Sequence, residues 1–410
     1  MHAIVKDDTR AQLPLASRLD QVAGSPMMAL VAKTAELKAS GATVIGLAAG
    51  EPDFDTPPHI VEAAIAAMRN GQTRYTPVDG TKALKEAVIA KFARENGLSY
   101  RLDEVIVGAG GKQIIFDAFM ATVEHGDEVI VPTPAYPAYG EITHLCGGTP
   151  VLIVCDQGSG FKLAPEQLEA AITPRTKWLV LNSPSNPTGV AYSGAELAQL
   201  AAVLARHPHV FVLSDDIYEH LLFSSNVFTT LANVLPEMRD RTLIVNGVSK
   251  AYCMTGWRIG YGAGPSRLIK AMGRVQSQST SNPCSISQAA ALAALTGPQD
   301  FLVTLQTAYH SRRDFVVRKL NDNPHISCLL PDGAFYAFPS CAATIGKTSH
   351  SGLIGSDTDF SGYLLAEAGV VVVPGSVFNA PGHFRLSFAA SDQELSDACE
   401  RIADFCRTLT

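Results

Sequence analysis

The chain lacks any run of lysines or arginines that could follow a phosphodiester backbone, and its formal net charge of −7 comes from interspersed charges. A nucleic-acid partner is not expected. It also lacks an apolar stretch long enough to span a bilayer, and its opening residues, MHAIVKDDTRAQLPLASRLDQ, carry no apolar core of the secretory kind. A cytoplasmic protein with no membrane partner is the expectation. Cysteine pairs of metal or redox type are missing too: the eight cysteines stand apart, with no C-x-x-C and no histidines clustered at ligand spacing. They read as reduced packing residues, and no metal is expected. Internal repeats and low-complexity tracts are absent, and SHSGLIGSD near Ser349 reads as a surface loop.

What is present is a large apolar content. With 410 residues, 47% hydrophobic and 17% charged, one core would be unusually large, so a major and a minor domain with a cleft between them are expected. Helical periodicity marks Ala29 to Lys38, Ile60 to Arg69 and Lys82 to Arg94. Short β-branched runs follow at Glu104 to Val107, Glu128 to Val131, Trp178 to Leu181, Val210 to Leu213 and Leu243 to Val245, mostly separated by helix-length segments. Alternating strands and helices predict an α/β fold with a mostly parallel sheet, whose ligands gather at the carboxyl ends of the strands. After Pro298 the pattern changes to a long helix (Gln306 to Leu320), short strands near Gly333 to Phe338, Val370 to Val373 and Phe384 to Phe388, and a closing helix.

Several polar motifs fall at predicted strand ends. VGAGGKQ places Gly108, Gly110 and Gly111 between a strand and a helix, where free N–H groups would face an anion; a plain glycine turn is the commoner use of such a pattern. Lys112 is unfavourable at a helix start unless an anion lies nearby. In NSPSNPTG, a sequence of turn formers, Asn186 has an amide able to donate to a phenolate-like oxygen. Asp215 and Asp216 are adjacent and point to opposite faces, so one should face the cleft, where a protonated ring nitrogen would partner it and Tyr218 could serve the same ring; a strand end followed by a helix cap explains the segment at least as well. In NGVSKAYCMTGWRIGYG, Lys250 lies in small, apolar surroundings suited to Schiff-base chemistry, and Arg258 with Ser249 suits a dianion. Cys253, nearby, is assigned no chemistry. Arg385, between Phe384 and Leu386, needs either an internal carboxylate or a substrate's.

Taken in order, GEPDFDTP (Gly50 to Pro57), RYTPVDG (Arg74 to Gly80), GGKQ, NSPSNPTG, SDDIYEH, SKAYCMTGWRIGY and FRLSFA resemble the class I aminotransferases of the pyridoxal-phosphate (PLP) dependent fold type I, over nearly the whole chain. The likeness is greatest to the bacterial aspartate and prephenate branch, which QSQSTSNP (Gln276 to Pro283) also fits. The resemblance implies a seven-stranded, mostly parallel large domain at 49–297, and a smaller α+β domain at 298–410 to which residues 1–48 contribute. It implies Lys250 as the Schiff-base lysine and Asp215 beside the pyridine nitrogen, with Asn186 and Tyr218 on the ring oxygen. Ser249, Arg258, Gly110, Gly111 and Lys112 would hold the phosphate, and Tyr75 would cross a homodimer to the other subunit's phosphate. Arg385 and Gly50 would take the α-carboxylate and Lys112 the distal one, with Asn186 and Tyr136 also lining the substrate site.

The implied reaction moves an amino group from an L-amino acid, aspartate above all, to a 2-oxo acid such as 2-oxoglutarate by a ping-pong scheme. A lyase or synthase on the same cofactor, and an aromatic or neutral amino acid transaminase, are the alternatives. Three departures bear on them. Tyr136 in PTPAYPAY stands where the family usually stacks a tryptophan on the ring, Gly247 where many relatives have a phosphate-binding serine, and Met27 and Met28 where the pocket often has Ser or Thr.

Overall fold

The computed structural model describes residues 13–223 and 227–410; part of the opening segment, residues 1–12, lies outside them. The large sheet has seven strands: β1 (Val105–Gly108), β2 (Glu128–Thr133), β3 (Thr149–Val154), β4 (Thr176–Asn182), β5 (Phe211–Asp215), β6 (Thr242–Gly247) and β7 (Gly260–Ala263), in the spatial order β1-β7-β6-β5-β4-β2-β3. All pairs are parallel except those of β7, which runs antiparallel to both neighbours. Side-chain alternation sends Val129, Val131, Leu213 and Leu243 to one face, against Ile114, Ala118, Phe119 and Met272. Ile130, Leu179, Leu181 and Val212 face Leu197, Leu200 and Leu204 on the other. A sheet covered on both faces explains why its strands read as continuous apolar runs.

Beyond Pro298 the chain forms a long helix (Asp300–Asn321), a three-stranded antiparallel sheet of Val373–Pro374, Phe384–Ser387 and Tyr336–Ala337, and a closing helix (Asp392–Arg407) around Tyr309, Val316, Phe335, Phe360, Leu395 and Ile402. The strand Ile45–Gly46 pairs in parallel with Val370–Val371, joining the early chain to this layer. No helix among the described residues is long and apolar enough to cross a membrane.

Some expectations are corrected. β3 and β7 have no counterpart among the runs read from sequence: β3 is an edge strand with mixed exposure, and β7, GYGA, is half glycine. Gly260 is required there, because a Cβ would overlap the Gly110–Gly111 backbone. The helix expected from Lys82 to Arg94 is regular only to Lys91, then widens over Phe92–Asn96 and ends on Gly97 at φ 64°. SHSGLIGSD opens within an antiparallel pair, Thr348–Ser349 with Gly352–Leu353, with Ser349 buried.

Candidate active site

β4, β5 and β6 end side by side, delivering Asn182, Asp215 and the Gly247–Lys250 turn to one cleft of about 360 Å³. Gly50, Gly111, Lys112, Tyr136, Asn186, Asp215, Tyr218, Ser249, Lys250, Arg258 and Arg385 all line it, as do Met27 and Met28. Gly110, at φ 95°, is the residue before the helix Gly111–Thr122, and its missing Cβ leaves room for the Arg258 guanidinium. Tyr75 is not brought there: on a single chain it is 92% exposed.

The cleft is rich in cations without counter-ions. Arg258 donates to the carbonyls of Thr255 (2.8 Å) and Ala109 (3.2 Å), and Lys112 Nζ lies 5.4 Å from the Tyr136 ring centroid. Arg385 is 1% exposed; Nη1 donates to Asn186 Oδ1 (2.9 Å), Nη2 to the Ala48 carbonyl (2.6 Å), and Nε has no partner. Among the described residues none of the three forms a salt bridge, so the internal carboxylate considered for Arg385 is not there. A buried guanidinium kept without an anion is costly. The backbone N–H groups of Gly111 and Lys112, at the start of their helix, likewise have no partner among the described residues. The arrangement can bind anions at two places, one at the helix start beside Arg258 and one at Arg385.

Asp215 and Asp216 point to opposite sides. Asp215 faces the cleft, accepting from Tyr139 Oη at 2.7 Å; Asp216 accepts from Ser214 on the far side. Burial pushes Asp215 up to about 6 despite the Tyr139 hydrogen bond, and no cation lies within ion-pair reach of it among the described residues. Its carboxyl suits a cationic ring nitrogen. Lys250 Nζ donates to the Gly50 carbonyl at 2.5 Å, and burial followed by the Arg385 charge pulls it down to about 8. That shift raises its unprotonated, nucleophilic fraction near neutrality. Cys253 is half-buried and its thiol is pushed up to about 12 by burial, which leaves it inert.

Among the cleft residues not singled out from sequence are two tyrosines, Tyr139 and Tyr336. Tyr139 also packs edge-on against Tyr136, with ring centroids 5.7 Å apart. Its position in PTPAYPAY, three residues after Tyr136 on the first turn of the helix Ala138–Leu145, was the available signal. Tyr336 meets Tyr218 and Arg385 across the fold.

The cleft and its sheet have counterparts in known proteins. The description "Aminotransferase class I and II" matches residues 42–402. An aspartate aminotransferase of Rhizobium meliloti is 54% identical over 96% of this chain and 97% of its own length, and an aspartate/prephenate aminotransferase of Cereibacter sphaeroides is 55% identical over 97% and 99%. Among solved structures, the Rhizobium meliloti aspartate aminotransferase superposes with a TM-score of 0.94 at 54% identity, covering 97% of this chain and all of that one. The Thermus thermophilus aspartate aminotransferase with maleate gives 0.90 at 42%, covering 96% and 100%. With these matches spanning the whole large sheet and the cleft at its strand ends, the chain belongs to the class I and II aminotransferases and has their fold type I architecture.

Proposed function

We propose that this aminotransferase holds pyridoxal 5′-phosphate covalently on Lys250 and moves the amino group of aspartate to a 2-oxo acid such as 2-oxoglutarate, the two substrates binding in turn. The observation that carries the reading is the unneutralised set Lys112, Arg258 and Arg385 around one partly buried lysine and one buried acid. The residues fit the cofactor: Arg258, Ser249 and the free N–H groups of Gly111 and Lys112 would take its phosphate, Gly110 leaves room for Arg258, and Asp215 would face its ring nitrogen. Asn186, whose Oδ1 is taken by Arg385, keeps its amide N–H for the ring oxygen beside Tyr218, and Tyr136 would stack on the ring.

Bound there, the cofactor supplies an electron-withdrawing ring that makes the substrate's α-hydrogen acidic. Asp215, as an anion, keeps that ring protonated. Arg385 takes the α-carboxylate on its fork and so turns the α-hydrogen toward Lys250. Lys250 Nζ, freed when the substrate's amino group takes its place on the cofactor, would take that proton and return it, its lowered proton affinity keeping it unprotonated beforehand. Lys112 would meet the distal carboxylate, which favours a dicarboxylic donor; the names of the relatives favour it too. The apolar Met27 and Met28 and the phenol of Tyr136 favour, as a second reading, aromatic donors at the same site.

The exposure of Tyr75 supports a homodimer in which it reaches the partner's phosphate site. Pairing of Ile45–Gly46 with Val370–Val371 supports a small domain built from residues 1–48 and 298–410 around a 49–297 large domain. Initial rates of the holoenzyme with aspartate and 2-oxoglutarate test the reading: parallel double-reciprocal lines with equimolar glutamate support it, and release of ammonia or a cleaved side chain would overturn it.

A further inference from the structure

Tyr336 belongs to the segment PDGAFYAFP and is 1% exposed. Its short strand pairs antiparallel with Phe384–Ser387, Tyr336 opposite Ser387. Opposed residues share a face, and Arg385 lies two residues from Ser387, so the register sets Tyr336 diagonally beside Arg385. The Arg385 guanidinium carbon lies 4.5 Å from the Tyr336 ring centroid, a cation–π contact in a water-excluded place. At the other end of the ring, the hydroxyls of Tyr336 and Tyr218 are 2.9 Å apart. The same hydroxyl packs on Gly50, where an added Cβ would come within 2.9 Å of it, and the Gly50 carbonyl accepts from Lys250.

We propose that Tyr336 is a positioning residue with two separable parts: its ring carries Arg385, and its hydroxyl donates to Tyr218 so that Tyr218 can serve the cofactor. This rests on the cofactor reading above. Each phenol has one hydrogen. If Tyr218 spends its own on the cofactor's ring oxygen, the hydrogen in the tyrosine pair must come from Tyr336. A donor that itself accepts a hydrogen bond is polarised and donates more strongly. Tyr336 therefore sharpens Tyr218, stabilises the anionic ring oxygen and lowers the pH at which the lysine-bound nitrogen gives up its proton. The charged and titratable groups around the pair are Arg385, Asp215, Tyr136 and Tyr139, and those around the Lys250 nitrogen are Arg385, Glu51, Arg258 and Asp215. A phenylalanine would carry the guanidinium equally well, so the hydroxyl's purpose is the bond to Tyr218.

Two readouts separate the parts. The first is the pH midpoint of the visible absorbance of the holoenzyme; the second is calorimetric binding of maleate, a dicarboxylate probe, to the apoprotein. Tyr336→Phe should raise the midpoint by ~0.3–1 unit and leave maleate affinity within about twofold. Tyr336→Leu should raise the midpoint and also weaken maleate by about tenfold. A Phe variant with the wild-type midpoint, or a Leu variant that binds maleate like wild type, would overturn the corresponding part. The Phe variant removes only an oxygen, so it guards against a Leu variant that fails to fold. If the wild-type holoenzyme shows no visible band, the cofactor reading fails and takes the hydroxyl's role with it, while apoprotein binding still decides the role of the ring.

Discussion

Asp117 offers a test of the electrostatics that is independent of turnover. It lies in the helix Gly111–Thr122, whose start forms the proposed phosphate cradle, among Ile114, Ile115, Ala118 and Phe119. It is fully buried, and neither carboxylate oxygen has a partner among the described residues. Burial alone pushes its carboxyl up to about 7. The folded state thus holds a proton that the unfolded state releases near pH 4, so Asp117 subtracts from stability progressively as pH rises above about 4 and by a constant amount above about 7. A shift of about 3 units corresponds to at most about 1.5 kcal/mol at pH 5 and about 4 kcal/mol at pH 8.5. Asp117→Asn has no proton to lose, so its stability advantage over wild type should grow by about 2–3 kcal/mol across that interval. The assay is urea unfolding of both apoproteins at the two pH values, followed by circular dichroism. A gap that is the same at pH 5 and pH 8.5 would mean instead that Asp117 is solvated or paired in the folded protein.

The buried Lys91–Glu219 pair, which also engages Asn96 and Asn246, should make Lys91→Met cost about 3–5 kcal/mol in denaturant unfolding, because Glu219 is left without its cation. Joint replacement by Lys91→Met and Glu219→Leu should recover part of that loss. Gly110→Ala should weaken cofactor binding to the apoprotein about tenfold or more in fluorescence titrations, since φ 95° disfavours alanine and its Cβ would overlap Arg258. Lys112→Ala should raise KM for aspartate about tenfold while changing kcat/KM for an aromatic donor less than about twofold, read from steady-state kinetics with both donors.

The parts of the fold legible in the sequence were those governed by local pattern. β2, β4, β5 and β6 are apolar because both faces of the sheet are covered, and their ends placed Asp215, Asn186 and Lys250 near one another before any distance was known. β7 was illegible because Gly260 answers to the Gly110–Gly111 backbone, a contact nearly 150 residues away in sequence, and Gly262 to the side chains of Ile114 and Leu243. The same holds for the site. Arg385 drew notice as a charge in an apolar strand, but only the fold shows that Asn186 and the Ala48 carbonyl hold it without a carboxylate. Tyr139 and Tyr336 sit in ordinary aromatic company in the sequence; their hydrogen bonds to Asp215 and Tyr218 span 76 and 118 residues. Tyr75, exposed on one chain, acquires a role only if a second chain is present.

Reduction of the yellow holoenzyme with borohydride, followed by peptide mass mapping, tests whether Lys250 holds the cofactor. A stable pyridoxyl-phosphate mass increment is expected on Lys250 and on no other lysine, and is lost in Lys250→Ala. A modification confined to a different lysine, or a protein that carries no cofactor to reduce, would contradict it.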